Sequence, residues 1–495
     1  MEYVNIQRIS KTEYTFRNSV KDGIKVVAKA LTFRNPSNFA YQKDIPMFDK
    51  RNLTFHIGML SNVIKECNKR KIGYEIEDYE YQMPDVEIDS RMSGNYIHQR
   101  YAVEAFFKKR FGIIVVPTRG GKTFIASEII RIFLATEKQG QVLFCVDNTT
   151  LFTQAVGDIK EFFEPYGGIE VGEICAGRVD TSKRVTVAMI QTIQSVYRNK
   201  KNKVRFNEMD KFLKGLKFLC VDEVHDNCSD SKLKLYKRCR NLDYQLCLSA
   251  TPYRSKQLVQ NLKLQAWSGD VAYTITEDTL RERKVLSDYK VFELLVDHNS
   301  IAYGDLDSDD YAELRKKIIF QSDVRNGALI KVLDIVQRLN IKTLVLFQSI
   351  EHGSNIGKLT GIPFISGRDK SREREKYKQA FLSQDGGILL ASDIFKKGVT
   401  LPSCEVLINV DGGLEDANVI QKKGRVLGTT KNKDRSAIID FIDVYDAYFS
   451  EHSEARLSTY VNAIGEKRVG ILDTSADDCF ETLEQWIKKW FRISD

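Results

Sequence analysis

Val115-Val116-Pro117-Thr118-Arg119-Gly120-Gly121-Lys122-Thr123 closes an apolar run, Ile113–Val116, and opens a helix-like stretch, Phe124–Phe133. A tight glycine-containing loop at the start of a helix turns backbone N–H groups into a concavity. The helix N-terminus adds partial positive charge, so phosphate is the ligand such a loop suits. Lys122 would reach the β and γ phosphates, and the Thr123 hydroxyl would ligate Mg²⁺. The phosphate-loop pattern GxxxxGK[ST] is met except at its first position, where Val116 stands in place of glycine.

Downstream, Phe218-Leu219-Cys220-Val221-Asp222-Glu223-Val224-His225 ends an apolar strand in two carboxylates. Ligands bind at the carboxyl ends of parallel strands. Asp222 would hold Mg²⁺ through its water shell, and Glu223 would polarise the attacking water.

Further apolar runs surround these two. Val142–Val146, Val185–Ile190 and Gln245–Leu248 alternate with amphipathic stretches. After a mostly polar region, Asp278–Asp310, the rhythm restarts at Thr343–Phe347, Pro363–Ile365, Gly387–Ala391, Cys404–Asn409 and Ser436–Phe441. Continuous apolar strands separated by helices predict parallel sheets covered on both faces. The expectation is two α/β domains, followed by a helical segment whose aromatic end, EQWIKKWF, docks on the second domain.

Composition agrees with a chain that builds several cores, with 42% hydrophobic and 29% charged residues over 495 positions. The net charge of +8 fits a polyanionic partner. Residues 1–74 hold 14 Lys and Arg against 6 Asp and Glu, so a basic module comes first. Tyr74–Ser90 is acidic and reads as a connector. The nine cysteines form no CxxC pair and several lie in apolar runs, which suggests reduced buried thiols rather than zinc sites or disulfides. No run reaches the roughly 18–20 apolar residues of a membrane span, and MEYVNIQRIS lacks a signal core. The expected location is therefore the cytoplasm, that of the host if the chain is phage-encoded.

PTRGGKT, DEVH and Leu248-Ser249-Ala250-Thr251-Pro252 resemble motifs I, II and III of superfamily 2 helicases in the DExH form. Other pieces follow in order. Gln99 matches the glutamine that reads adenine, and Tyr96 a position that stacks on the base. Asn148, Leu151 and Gln154 match motif Ia, with Asp147 in place of the common proline. Gln191-Thr192 matches motif Ib. SDIFKKGVT, Ser392–Thr400, resembles motif V, and Gln421-Lys422-Lys423-Gly424-Arg425 resembles motif VI.

The resemblance covers roughly residues 95–430. It implies two RecA-like parallel-sheet domains in tandem, ATP and Mg²⁺ as cofactors, and nucleic acid as partner. Lys122, Asp222, Glu223, Gln421 and Arg425 would carry the chemistry, and Thr123 and Asp222 the metal. Tyr96, Gln99, Thr118, Arg119, Gly120, Gly121, Lys122, Thr123 and Gly398 would bind the nucleotide. Ser249, Ala250 and Thr251 would couple hydrolysis to movement. Asn148, Gln154, Gln191, Thr192, Gln348, Ser349 and Thr400 would touch the nucleic-acid backbone. Motif VI usually ends in a second arginine, which is Gly428 here.

The expected division is a small basic α+β domain at 1–86, the first motor domain at 87–285, the second at 286–449 and the helical segment at 450–495. Residues 1–86 resemble, more faintly, the small N-terminal domain of phage UvsW-like recombination and repair helicases. That resemblance implies remodelling of branched DNA by branch migration, fork regression or annealing. A nucleotide-gated clamp with weak turnover, an RNA helicase and a restriction-type translocase subunit are the competing readings.

Overall fold

Buried, largely apolar runs set the sheets. Val142–Val146, Phe218–Val221, Tyr244–Ser249 and Thr343–Phe347 are buried along their whole length, as strands covered on both faces must be. The computed structural model describes residues 3–16, 21–34, 44–199, 202–227, 229–253, 257–299, 311–392, 401, 403–412, 427–430, 433–445 and 447–494. The chain divides into two units, Met1–Thr276 and Glu277–Asp495.

The first unit holds an eight-stranded sheet. Its order is Arg178–Val179, Val171–Cys175, Val185–Met189, Val142–Val146, Phe218–Val221, Tyr244–Ser249, Phe111–Val115, Val271–Thr274. The edge pair of Arg178–Val179 with Val171–Cys175 is antiparallel, and the other pairings are parallel. Register aligns the carboxyl ends of the middle strands: Val221 lies beside Cys247, and Ser249 beside Val115. The phosphate-loop sequence, the DEVH carboxylates and the SATP turn therefore leave the sheet from one edge.

The N-terminal part of this unit carries a five-stranded sheet, with Tyr3–Ser10 parallel to Gly73–Glu77 and the other pairings antiparallel. The acidic stretch read as a connector thus begins inside a strand. The helix Leu60–Arg70 buries Val63 and Cys67, one turn apart, and ends at Lys71 in the left-handed conformation. Lys65, Lys69, Arg70 and Lys71 are exposed around that end, with Arg70 bonded to Glu66 at 2.6 Å. Tyr81 lies between two guanidinium groups, Arg110 at 4.5 Å and Arg8 at 5.6 Å from its ring centre. This part packs on the larger sheet's helix Leu258–Ser268. Ser61 donates to Asp270 at 2.9 Å, and Gln265 to Asn62 at 3.0 Å.

The second unit is a seven-stranded, all-parallel sheet ordered Phe364–Ile365, Ile388–Ser392, Thr343–Phe347, Val406–Asn409, Arg435–Val444, Asp288–Asp297, Val469–Asp473. Two features differ from the sequence expectation. The polar region Asp278–Asp310 contains the ten-residue strand Asp288–Asp297, whose central Glu293 is 1% exposed and interrupts the apolar run. The C-terminal segment is helical at Ala447–Ile464 and Cys479–Phe491, but Val469–Asp473 between them joins the sheet. The last helix docks as expected, burying Cys479, Leu483 and Ile487 in the second core. Among the described residues no helix is long and apolar enough to cross a membrane.

Gly58 sits where the N-terminal part meets the helix Leu258–Ser268. A Cβ there would lie 1.7 Å from the Gln265 carbonyl oxygen. Gly58→Ala should therefore cost about 1–3 kcal/mol, as overpacking does. It should also speed proteolytic release of the N-terminal part; an unchanged melting curve and digestion pattern would remove this contact from the docking account.

His352 is buried between Phe320 and Phe347 and shares a hydrogen bond with Asn326 at 2.8 Å. Burial, then the nearby Arg325 charge, lower its pKa to about 3. The unfolded chain takes up this proton near pH 6.5, whereas the fold resists it until about pH 3. Stability of the second unit is thus expected to fall as pH drops through that window. His352→Gln should flatten the dependence of melting temperature on pH there, and an unaltered slope would assign it to other groups.

Candidate nucleotide site and its connections

The helix Lys122–Thr136 starts behind two left-handed residues, Arg119 at φ 69° and Gly121 at φ 90°. Gly121 is needed twice over. Its φ favours glycine, and a Cβ would lie 2.2 Å from the Gln99 amide nitrogen. His98 bonds the Gly120 carbonyl through Nε2 at 2.8 Å, and Gln99 Nε2 approaches the same oxygen at 3.5 Å. Both residues are buried in the helix before the loop, so this helix braces the loop's carbonyl side. Tyr96 is 44% exposed at its start, a placement suited to stacking. Thr118 and Thr123 are half-buried along the loop.

The Lys122 ammonium reaches Glu223 Oε1 at 3.1 Å. Burial acts against the Glu223 charge, but Lys122 and then His225 outweigh it and hold this carboxyl below the usual range. Asp222 behaves oppositely. Burial first, and then the Glu223 charge beside it, raise its carboxyl to about 7. A buried carboxylate pair next to a lysine and a helix N-terminus suits a cation with phosphates. Asp222 and the Thr123 hydroxyl fit a Mg²⁺ that takes its other ligands from phosphate and water, as Mg²⁺ does in nucleotide sites.

Glu223 lies in the left-handed region at φ 43°, an unfavourable conformation for a residue with a Cβ. Hydrogen bonds of the neighbouring residues hold the turn. Val224 N donates to Leu248 O at 3.0 Å. His225 Nδ1 shares a hydrogen bond with Ser249 Oγ at 2.8 Å, and Ser249 Oγ accepts from Thr251 N at 3.0 Å. Asn227 Nδ2 donates to the Asp222 carbonyl at 2.9 Å and approaches that of Glu223 at 3.4 Å. Ser249 thus connects directly to the DEVH turn, and Thr251 connects to it through Ser249. His225 was not selected from the sequence, although the last letter of that motif is the signal that marks it.

The residues expected to touch nucleic acid have local partners. Asn148 caps the helix Thr149–Phe163, accepting from Leu151 N at 2.9 Å. Ser349 caps Ile350–Thr360, accepting from His352 N at 3.2 Å. Gln348 bonds Arg315, and its N–H donates to Asp411 at 2.6 Å. Gln154 donates to Asp158 at 3.3 Å. Thr192 is half-buried beside the exposed Gln191.

Gln191 Nε2 donates to Asp147, to its carbonyl at 2.5 Å and its carboxylate at 2.8 Å. The same carboxylate accepts from Lys232 Nζ at 2.6 Å. Lys232 also donates to Asp226 O at 2.9 Å and Asn227 Oδ1 at 3.0 Å. Asp147, Asn227 and Lys232 were not among the expected site residues, and no family pattern in the sequence singles out Lys232.

Gly398, Thr400, Gln421 and Arg425 lie outside the described residues. Gly428 does not. It forms a backbone bridge with Leu286, and its carbonyl accepts from the buried Lys433 ammonium at 3.0 Å.

Residues 93–254 match the family model described as type III restriction enzyme, res subunit, and residues 325–427 match the helicase conserved C-terminal domain. The chain is 26% identical over 380 residues to the DNA 3′-5′ translocase XPB2 of Sulfurisphaera tokodaii, covering 69% of this chain and 80% of that protein. Among solved structures, S. cerevisiae Dbp5 bound to RNA and ADP BeF3 superposes with TM-score 0.55 at 15% identity, over 80% of this chain and 93% of that one. T4 UvsW aligns over 95% of this chain and 99% of its own, at 17% identity and TM-score 0.42. The restriction-subunit and helicase C-terminal models, one on each parallel-sheet unit, together with the translocase relative, identify the chain as an ATP-hydrolysing, DNA-binding helicase of superfamily 2 with two RecA-like domains.

Proposed function

We propose that this helicase is a DNA-stimulated motor that moves 3′ to 5′ and remodels branched DNA by branch migration, fork regression or annealing. The observation that carries the motor reading is the Lys122–Glu223 pair at 3.1 Å beside the buried Asp222. Phosphate binding gives Lys122 a competing anion and releases Glu223 to orient and deprotonate the attacking water. Thr123 and Asp222 would hold Mg²⁺, which would supply charge neutralisation at the phosphates.

Gln421 and Arg425 are proposed to complete the chemistry, with Arg425 as the finger that stabilises the transferring phosphoryl group. Such a residue contributes about 10³–10⁵ in rate in related systems. Gly398 is assigned to the nucleotide with the phosphate loop, and Thr400 to the nucleic-acid backbone with Asn148, Gln154, Gln191, Thr192, Gln348 and Ser349.

The polarity follows the name of the archaeal relative. The preference for branched DNA follows the basic character of residues 1–74, whose helix Leu60–Arg70 packs beside the motor sheet's helix Leu258–Ser268, together with the sequence resemblance of that region. A second reading, a nucleotide-gated clamp with weak turnover, is favoured by Gly428. That position contributes a backbone bridge and supplies no second arginine.

Lys122→Ala and Glu223→Gln should each lower ATP turnover by at least a hundredfold while DNA binding persists. Steady-state phosphate release and fluorescence anisotropy check this pair of outcomes, and normal turnover in either variant would sink the assignment.

Hydrolysis should be stimulated most by a four-way junction, less by duplex and single-stranded DNA, and least by RNA. It should weaken between low and high salt as phosphate contacts are screened. ATP-dependent retention of DNA without phosphate release would establish the clamp. Stimulation by RNA but not DNA would reverse the choice of polymer.

A further inference from the structure

Asp147 stands where the family commonly has proline, and it gives this chain a connection that proline cannot make. The strands Val142–Val146 and Val185–Met189 pair so that Val146 lies beside Met189. Asp147 and Gln191 therefore leave the sheet side by side. The Gln191 amide nitrogen has two hydrogens, and it makes two bonds, both to Asp147. Gln191 itself is exposed.

Lys232 continues the path. An ammonium has three donors, and Lys232 places them on Asp147 Oδ1, Asp226 O and Asn227 Oδ1 at 2.6, 2.9 and 3.0 Å. Asn227 is fully buried. Its carbonyl oxygen faces Lys232, while its NH₂ group faces the carbonyls of Asp222 and Glu223. The path ends on the residue whose backbone is held at φ 43° and whose side chain is paired with Lys122. It runs from an exposed amide at the sheet edge to the backbone carbonyls of Asp222 and Glu223, the second of which bears the carboxylate that would activate water.

We propose that Lys232, with Asp147 and Asn227, is a positioning residue that couples nucleic-acid occupancy at Gln191 to the setting of Glu223. A phosphate oxygen arriving at Gln191 competes with Asp147 for the same two hydrogens. Release of Asp147 leaves its carboxylate to Lys232 and shifts the charge that Lys232 shares with Asn227. The Asn227 contacts to the Asp222 and Glu223 carbonyls shift in turn. The left-handed turn at Glu223 is the element biased, because the Asn227 side chain is bonded to its carbonyls and a residue with a Cβ disfavours that backbone conformation. The inference rests on the reading of Gln191 as a nucleic-acid contact.

The test uses the full chain with Lys232→Met, Gln191→Ala and the double variant. Basal ATPase, DNA-saturated ATPase, DNA affinity by anisotropy and melting temperature are measured for each. Lys232→Met is expected to reduce the ratio of stimulated to basal turnover about tenfold, within the usual range of coupling between linked sites, while DNA affinity changes by less than about twofold. Gln191→Ala is expected to weaken DNA affinity and lower the ratio. The double variant should show no lower ratio than Lys232→Met, because two residues on one path are not additive. A helix-pinning role for Lys232 would move the melting temperature and leave the ratio intact.

Gln191→Ala binding DNA like the parent defeats the reading of Gln191 and removes the path's input. Weakened binding in Gln191→Ala, with the ratio kept in Lys232→Met, overturns the coupling while leaving that reading standing. If Lys232→Met shows no cooperative melting, Asp147→Asn, which keeps an acceptor and removes the charge, takes its place under the same criteria.

Discussion

Two carboxylates buried side by side at the end of one strand are the constraint on which the first unit's architecture turns. Asp222 is 9% exposed, and its neighbour Glu223 faces the same crowded edge. Burying adjacent like charges is costly unless each finds a partner. Parallel register supplies the partners by bringing three strand ends together. Lys122 arrives from the strand Phe111–Val115, and Ser249 with its bonded His225 from Tyr244–Ser249. Asn227 fastens the carbonyls from behind. A slip of one residue in this register would turn the strand side chains, Ser249 among them, to the opposite face and displace the turns that follow. The apolar core of the sheet and the chemistry at its edge are therefore set by a single alignment.

The second unit handles buried charge by the same means for a different purpose. Asp443 is fully buried and accepts from Arg325 at 2.7 and 3.3 Å, while Arg325 also donates to the Val410 carbonyl at 3.1 Å. Burial opposes the Asp443 charge, but Arg325 and His298 prevail and hold its carboxyl below the usual range. Asp440, on the same strand, accepts from Arg456 at 3.3 Å, Tyr460 at 2.9 Å and Asn409 at 2.9 Å. These bonds fasten the helices Asp323–Arg338 and Ala447–Ile464 to the strand Arg435–Val444. Glu293 pairs in register with Asp440, and burial together with that charge raises its pKa well above the usual carboxylate range. A carboxyl held toward its neutral form lessens the repulsion that two facing carboxylates would bring. Removing either arginine from such a site is costlier than replacing the whole cluster by apolar residues, so the arrangement contributes a defined alignment of helix on strand.

Much of this was legible from residue order because the motor strands are short, apolar and continuous. Val142–Val146, Phe218–Val221 and Thr343–Phe347 have the bounds that the sequence predicts. Asp288–Asp297 was hidden because its centre carries Glu293, and periodicity cannot distinguish a buried neutral carboxylic acid from an exposed charge. Val469–Asp473 was hidden because its residues alternate between half-buried and exposed at the sheet edge, with glycine at its second position. In the site, residues joined by strand-end geometry were readable as motifs. Lys232 was not, since its reach to Asp147 joins positions 85 residues apart, and Asn227 takes its role only as the link between Lys232 and the Asp222 carbonyl.

The polar residues at the strand ends carry two loads at once. Asn148 and Ser349 start helices, and Gln191 closes on Asp147. A capping side chain uses one acceptor atom and leaves the remainder of its polar surface at the edge where the strands terminate. A backbone phosphate that engages such a residue therefore meets a group already bonded into the fold. The encounter exchanges hydrogen bonds within a connected set. In the proposed coupling, that exchange is how a contact at Gln191 would influence a hydrolytic site built on the same sheet edge. The wider the set of bonds sharing one charge, as at Lys232, the less the exchange stays local.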